Sequence, residues 1–495
     1  MPISLYGLIS LIALSPLASP DLMAQVVQWP IFRGPEGSAH GASASLPDEF
    51  GPTKNKQWHT DLPPGHSSPI LWDNKIFITG HEGPSLEMLC LNRLDGTLEW
   101  SLRRRIEKIP SFYHIASNVA ASTPATNGEQ VVFYFDQYGL ITTNMDGKLI
   151  WEHRFGTTTA NDFGYGASPI IHGDSVLLNR DGALDSGLFC FELKSGKMLW
   201  KAARLEAINS YCSPHVVTFK GESLVLQGGS GELVAYDLQQ GTERWKATGL
   251  PGFACVSPVA AGDMIYYGGW STAHVAGRSR MESFFHDHQD LSNEALESAK
   301  GFFAEFDLNA DGALSPKEFP EGRLKDVFTM TDQDSNGYID WKELDFWYTT
   351  PAWEGKNAFY AIQMGGKGDI TQTHVKWQVR SGIPYVCSPL VDANRLYLVK
   401  KGGFITCVDV TTGRALYQQE RLGVGGEYYA TPVSTGDRIL IAAERGTIFV
   451  LKAGPKLDIL VRNEIGESLV ATPAIADDTL YLRSFKRLWA FRQEE

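Results

Sequence analysis

Positive charge is in deficit, long apolar runs are missing after the N-terminus, and cysteine is sparse, at six in 495 residues. Each shortage excludes something. Lys and Arg total 44 against 57 Asp and Glu, a net charge of −13, the wrong sign for a surface that grips nucleic-acid phosphates. No segment beyond the first two dozen residues is long and apolar enough to cross a bilayer as a helix. No serine sits in a nucleophile elbow. The glycine stretches GGSGEL from Gly228 and GGEYY from Gly425 lack the lysine and helix that would hold a phosphate. FFHDHQD places His286 and His288 at a metal-like spacing, but in a loop where a solvated turn is the expectation. Arg103, Arg104 and Arg105 form a short basic run that reads as a solvated face.

At the N-terminus, MPISLYGLISLIALSPLASPDLMAQ combines a short apolar run with small residues, the pattern of a cleaved export signal over residues 1–24. It departs from that pattern in having no Lys or Arg before the run, and Pro16 and Pro20 argue against a lasting membrane helix. The expectation is an exported chain, periplasmic or extracellular, without a transmembrane segment in its mature form.

What is present is a repeat. A Ser-Pro or Thr-Pro dipeptide heads an apolar run eight times, at Pro69, Pro124, Pro169, Pro214, Pro258, Pro389, Pro432 and Pro473. Successive gaps are 55, 45, 45, 44, 131, 43 and 41 residues, a period near 44 with one long interruption. Within each unit, short alternating runs are separated by turns such as DNK and HGD, and a Gly turn leads to a strand ending in Trp: Trp100, Trp151, Trp200, Trp245. Four short strands per unit at this period predict an all-β propeller of eight blades. The strand carrying Trp58 has no unit of its own, and the last unit lacks a fourth strand. Pairing the two closes the ring and leaves no free edge there.

The cysteines follow the repeat. Cys90, Cys190 and Cys407 share a third-strand slot with Thr143, Ala235, Ala361, Val450 and Ala490. Cys212 and Cys387 share a first-strand slot with Ser67, Ser122, Ala167, Ala430 and Ala471. Small buried thiols are the expectation, with a Cys212–Cys255 disulfide between neighbouring blades as the alternative.

The long gap holds DLNADGALSPKE (Asp307–Glu318) and DQDSNGYIDWKE (Asp332–Glu343). Calcium takes about seven hard oxygens, and a twelve-residue loop supplies them from positions 1, 3, 5, 7, 9 and 12. In the first loop these are Asp307, Asn309, Asp311, the carbonyl of Ala313, Ser315 and Glu318, with Gly312 at the sharp turn. In the second they are Asp332, Asp334, Asn336, the carbonyl of Tyr338, Asp340 and Glu343, with Gly337 at the turn. Three carboxylates in loop one and four in loop two predict tighter binding at the second. Leu296, Ala299, Phe303 and Phe306 fit one face of a helix entering loop one. SPKE and DWKE read as capping boxes that start exiting helices, with Pro316 at a first helical position. Between residues 283 and 350 stand 15 acidic and 5 basic side chains, so 5 − 15 = −10 of the net charge lies there.

The Ser/Thr-Pro strands, the Gly-turn-Trp endings and WPIFRGPEGSAHG from Trp29 resemble the quinoprotein, or PQQ-like, eight-bladed propellers of exported bacterial proteins, over about 40–280 and 355–495. The paired loops resemble EF-hands, where Leu314 and Ile339 at position 8 would join the loops by a short β-bridge. The domains expected are a propeller over 25–282 and 351–495 and an EF-hand pair over 283–350, inserted in blade five between its second and third strands. Trp341, Phe346, Trp347 and Tyr348 would dock the insert on the propeller. The resemblance implies two bound Ca2+ ions and leaves PQQ open as a cofactor, although alcohol-oxidising members stack it on adjacent cysteines, which this chain lacks. The function expected is that of an exported calcium-binding scaffold or recognition module without catalysis, its partner another exported or envelope protein. A PQQ-dependent dehydrogenase and an outer-membrane assembly scaffold are the alternatives.

Overall fold

A computed structural model describes residues 28–41, 45–109, 118–155, 166–181, 186–204, 210–271, 291–319, 328, 331–332, 336–349 and 355–494. The export signal, His286, His288 and Asp334 lie outside them.

Each repeat unit makes a four-stranded antiparallel sheet because it alternates two to eight β-forming residues with tight turns. Eight such sheets occur among the described residues. Blade one is Ile70–Trp72, Lys75–Glu82, Ser85–Asn92 and Leu98–Arg105, in sequential order from the axis outward. Blade eight takes its outer strand from the other end of the chain, Lys56–Asp61 pairing antiparallel with Arg487–Phe491. The ring closes as the repeat count requires.

The joints between blades are built from the Trp endings. Each indole covers a glycine in the next blade's turn: Trp58 on Gly96, Trp100 on Gly147, Trp151 on Gly196, Trp200 on Gly241 and Trp377 on Gly413. These glycines have φ between 67° and 81°, and a Cβ there would lie 2.4–2.7 Å from the indole, so only glycine fits both the backbone and the ring. The indole N–H then donates to a carbonyl of the same turn, as in Trp151 Nε1 to Leu193 O at 2.7 Å and Trp200 Nε1 to Leu238 O at 3.0 Å.

All six cysteines are free thiols, five of them buried, and the shared third-strand slot is filled as expected except in blade two. There Thr142, not Thr143, pairs with Trp151, because a shorter turn precedes that tryptophan and shifts the register by one.

The motif around Trp29 closes one end of the axis. Trp29 exchanges backbone hydrogen bonds with Leu71 of blade one, and Thr126 of blade two donates to the Pro30 carbonyl. Arg33 Nη2 donates to Pro389 O of blade six at 3.2 Å, and His40–Gly41 adds a parallel strand to blade seven. Gly34, at φ 71°, lies flat on the buried Trp29 ring, where a Cβ would stand 2.6 Å away. The segment is a plug.

Blade five is interrupted between Met264–Gly269 and Ala358–Gln363, which pair directly despite the intervening insert. The insert has its own small core, formed by Leu291, Ala295, Ala299, Phe302, Leu314, Phe319, Phe328, Ile339, Leu344 and Trp347. Two expectations change here. The helix entering loop one is broken into α1 (Asn293–Glu297) and α2 (Ala299–Phe306), because Ser298 adopts an extended backbone and caps the second helix through Gly301 N. Phe302 is therefore the fully buried phenylalanine, with Phe303 and Phe306 packed around it. The aromatics assigned to docking serve the insert itself: Trp347, Phe346 and Tyr348 join its core, and Trp341 lies against Phe303 with ring centroids 5.8 Å apart.

Candidate functional site

In loop one, the Asp307 carboxylate accepts the backbone N–H of Asp311 and Gly312, at 3.2 and 3.1 Å. Asn309 Oδ1 accepts Asp311 N, and Asp311 Oδ1 accepts Ala313 N. Glu318 Oε2 accepts both the backbone N–H and the hydroxyl of Ser315, at 3.0 and 2.7 Å. The Ser315 hydroxyl is the largest of the influences that hold the Glu318 carboxyl below its ordinary pKa. Loop two repeats the pattern. Asp332 accepts from Asn336 N and Gly337 N, Asn336 Oδ1 from Tyr338 N, and Asp340 and Glu343 cap each other reciprocally, both at 2.9 Å. Gly312 and Gly337 have φ of 82° and 89°, as the sixth position of such a loop requires. Ala313 and Leu314 pair antiparallel with Asp340 and Ile339, so the two loops form one unit.

The loops differ at their exits. Glu343 opens the helix α3 (Trp341–Thr349), whereas residues 316–318, with Pro316, form only a turn. Asp332 and Glu343 are buried, while Asp307 and Glu318 are half-exposed. Among the described residues no three acidic, imidazole or thiol groups form a ready-made metal cluster. The donor chemistry nevertheless fits calcium, being all-oxygen and mostly carboxylate. Asp307, Asn309, Asp311, Ser315 and Glu318 would hold one ion, with the Ala313 carbonyl. Asp332, Asn336, Asp340 and Glu343 would hold the other, with the Tyr338 carbonyl.

A second site was not anticipated. The Ser or Thr before each repeat proline sits at the ring's axis, and the eight hydroxyls line one cavity of about 380 Å³. Seven of the eight steps round this circle are hydrogen-bonded. Ser68 N donates to Thr123 Oγ1, Thr123 N to Ser168 Oγ, Ser168 N to Ser213 Oγ, Ser213 N to Ser257 Oγ and Ser257 N to Ser388 Oγ. Thr431 N donates to Thr472 Oγ1 and Thr472 N to Ser68 Oγ, all seven links lying within 2.9–3.1 Å. Above this floor stands a second ring, always two residues before the Ser or Thr: His66, Ala121, Gly166, Tyr211, Cys255, Val386, Tyr429 and Val470. Phe32 of the plug reaches the cavity, and Phe253, Tyr385, Lys401 and Glu427 complete its wall. The repeat spacing contained this second ring as a signal, but only a closed ring gives the position two residues upstream a meaning.

Burial pushes Tyr385, Tyr429 and the Cys255 thiol each up to about 12. All three are protonated at neutral pH. The residues do not fit PQQ, a rigid tricarboxylate: among the described lining residues only Lys401 is a permanent cation, and Glu427 opposes it. Trp270, the last residue before the insert departs, lies beside Tyr385 with centroids 6.3 Å apart.

Comparison with known proteins agrees with this architecture. Residues 115–252 match the family model described as outer membrane protein assembly factor BamB, and 299–320 and 324–345 match an EF-hand model. No curated protein matches the chain. Among solved structures, BamB from Moraxella catarrhalis superposes with a TM-score of 0.55 at 12% identity, over 88% of this chain and 99% of that one. A europium-containing methanol dehydrogenase gives 0.55 at 8% identity over 94% and 98%. Quinohemoprotein alcohol dehydrogenase from Comamonas testosteroni gives 0.53 at 10% over 95% and 81%. At such identities the likeness speaks for the fold. The chain is an eight-bladed β-propeller in which residues 115–252 match a PQQ-type repeat model and the insert matches an EF-hand model.

Proposed function

We propose that this is an exported, calcium-binding recognition module, periplasmic or extracellular, in which a rigid ring presents a binding cavity and two Ca2+ ions hold the insert in shape. The observation that carries the reading is the joined pair of oxygen-donor loops, bridged through Leu314 and Ile339, inserted in a blade whose Trp270 lies beside the cavity residue Tyr385. The cavity supports binding without catalysis: Tyr385, Tyr429 and the Cys255 thiol are held protonated, and seven of the eight floor hydroxyls accept a backbone N–H.

A second reading, a scaffold for envelope protein assembly, is favoured by the match of residues 115–252 to an outer membrane protein assembly factor. Calorimetric titration of the metal-stripped chain with calcium tests the primary reading. Two binding events and a raised melting temperature are expected; no heat and no shift would overturn it. Capture of an outer-membrane protein by the chain, tested with calcium and with chelator, distinguishes the second. A parallel titration with PQQ, giving tight stoichiometric binding, would instead support a dehydrogenase.

A further inference from the structure

Beneath the cavity floor lies an unusual charge. Arg33 is 2% exposed, its Nη2 donates to the carbonyl of Pro389, and its Nε has no acceptor. No carboxylate pairs with it among the described residues. Pro389 directly follows the floor residue Ser388, so the guanidinium sits immediately under the ring of hydroxyls. Two blades round the ring it acts on His215, which follows the floor residue Ser213 by two; burial, and secondarily Arg33, lower the pKa of that imidazole. Burial lowers Arg33 itself to about 9, leaving it charged at neutral pH.

An uncompensated buried cation is costly unless something negative approaches it. Seven of the floor hydroxyls already accept a backbone N–H in the ring bonds, so what those hydroxyls have left for a ligand is the O–H proton. Donors over a cation make a floor suited to an anion. The walls above are different in kind: Tyr211, Phe253, Tyr385 and Tyr429 form an aromatic side, opposite the small Ala121 and Gly166.

We propose that the cavity receives a small monocarboxylate with one aromatic or bulky apolar group, its carboxylate directed down the axis toward the floor hydroxyls and Arg33 and its body against the four aromatic rings. A cavity of about 380 Å³ is within the usual range for small-molecule sites, roughly 300–1,000 Å³. The same chemistry is offered by a free aromatic acid and by the C-terminal residue of an extended peptide. The inference rests on the recognition reading above and names its ligand class.

The test is calorimetric titration of the full chain with N-acetyl-phenylalanine, with N-acetyl-phenylalanine amide and with N-acetyl-Gly-Gly-Phe, calcium present throughout. The acid is expected to bind about tenfold or more tightly than the amide, the scale of a buried hydrogen bond to a charged group. A tripeptide tighter than the single residue indicates a chain terminus; a weaker one indicates a free acid; both support the site. Arg33→Gln should remove the preference for acid over amide. Because Arg33 belongs to the plug, Ala121→Phe provides a second variant, filling the cavity while leaving the plug intact, and should abolish binding with an unchanged melting temperature. Equal binding of acid and amide, or no binding of either, overturns the proposal. A calcium response that persists in that case leaves the recognition module standing without this ligand.

Discussion

The ring and the insert fix short elements by opposite means. Each regular blade joint rests on an aromatic plate over a glycine and one indole hydrogen bond, repeated round the circle. Each joint supports its neighbours. The insert instead gathers about ten buried side chains and sets several carboxylates side by side in two loops. Like charges at that spacing repel, and a core of that size stabilises only marginally. Geometry that the ring obtains from repetition is what bound calcium would supply to the insert under the proposed reading.

The largest expected effect breaks the ring side of this contrast. Trp151→Ala removes a buried indole from Gly196 and its bond to Leu193 O, and should cost about 3–5 kcal/mol, read by denaturant melts with or without calcium. A calcium-dependent cost would mean that ring and insert are not separate stability units. Next comes the insert. Calcium at a hundred times its dissociation constant should stabilise a site by about 2.7 kcal/mol, and Glu343→Gln should lose more of that than Glu318→Gln, because Glu343 is buried at the start of α3 while Glu318 is half-exposed. If the double variant keeps the full calcium response in melting, calcium does not bind through these loops.

The plug offers a pH-dependent intermediate case. His215 is buried against Gly37 and near Arg33, and burial, then that cation, lowers its pKa from 6.5 to about 3. The folded imidazole therefore stays neutral where the unfolded one takes up a proton. Stability is complete above pH 6.5 and is lost as the pH falls toward the folded value. One pH unit below the unfolded value the loss is about 1.4 kcal/mol, and His215→Gln should flatten that part of the stability profile.

How far each feature could be read from the chain depends on how local its cause is. The paired loops were legible because each is confined to twelve residues, and their joining bridge pairs Leu314 with Ile339; the closing strand was legible because counting units left Trp58 over. The plug's role was not, since Arg33 meets Pro389 across 356 positions and nothing in the intervening sequence marks the contact. The second ring of the cavity was present in the spacing but had no meaning until eight distant residues converged. The insert's aromatics were assigned to the wrong surface because hydrophobicity says that Trp347 is buried, not against what. In α3 it shares a face with Leu344, and both turn toward the insert's own core.

Among the joints that carry a tryptophan, one departs from the rest and gives the finest test of the contrast. Trp245 is 1% exposed, yet its indole N–H has no acceptor. Blade five replaces the usual Asp-Gly or Ser-Gly turn by Met364-Gly365-Gly366-Lys367, and Gly368–Asp369 pairs in parallel with Trp245–Lys246 along the outer edge of blade four. Here backbone pairing does what the indole bond does elsewhere. Replacing the indole N–H by sulfur, with 3-benzothienylalanine, keeps the ring area and removes only the donor. At Trp200 this should cost about 1 kcal/mol, because the Leu238 carbonyl loses its partner. At Trp245 the same replacement should be neutral or stabilising, since it removes a buried donor that bonds to nothing. Equal costs at both positions would show that packing alone holds the joints and that the indole bond is incidental; opposite signs would assign the fourth joint to the added strand.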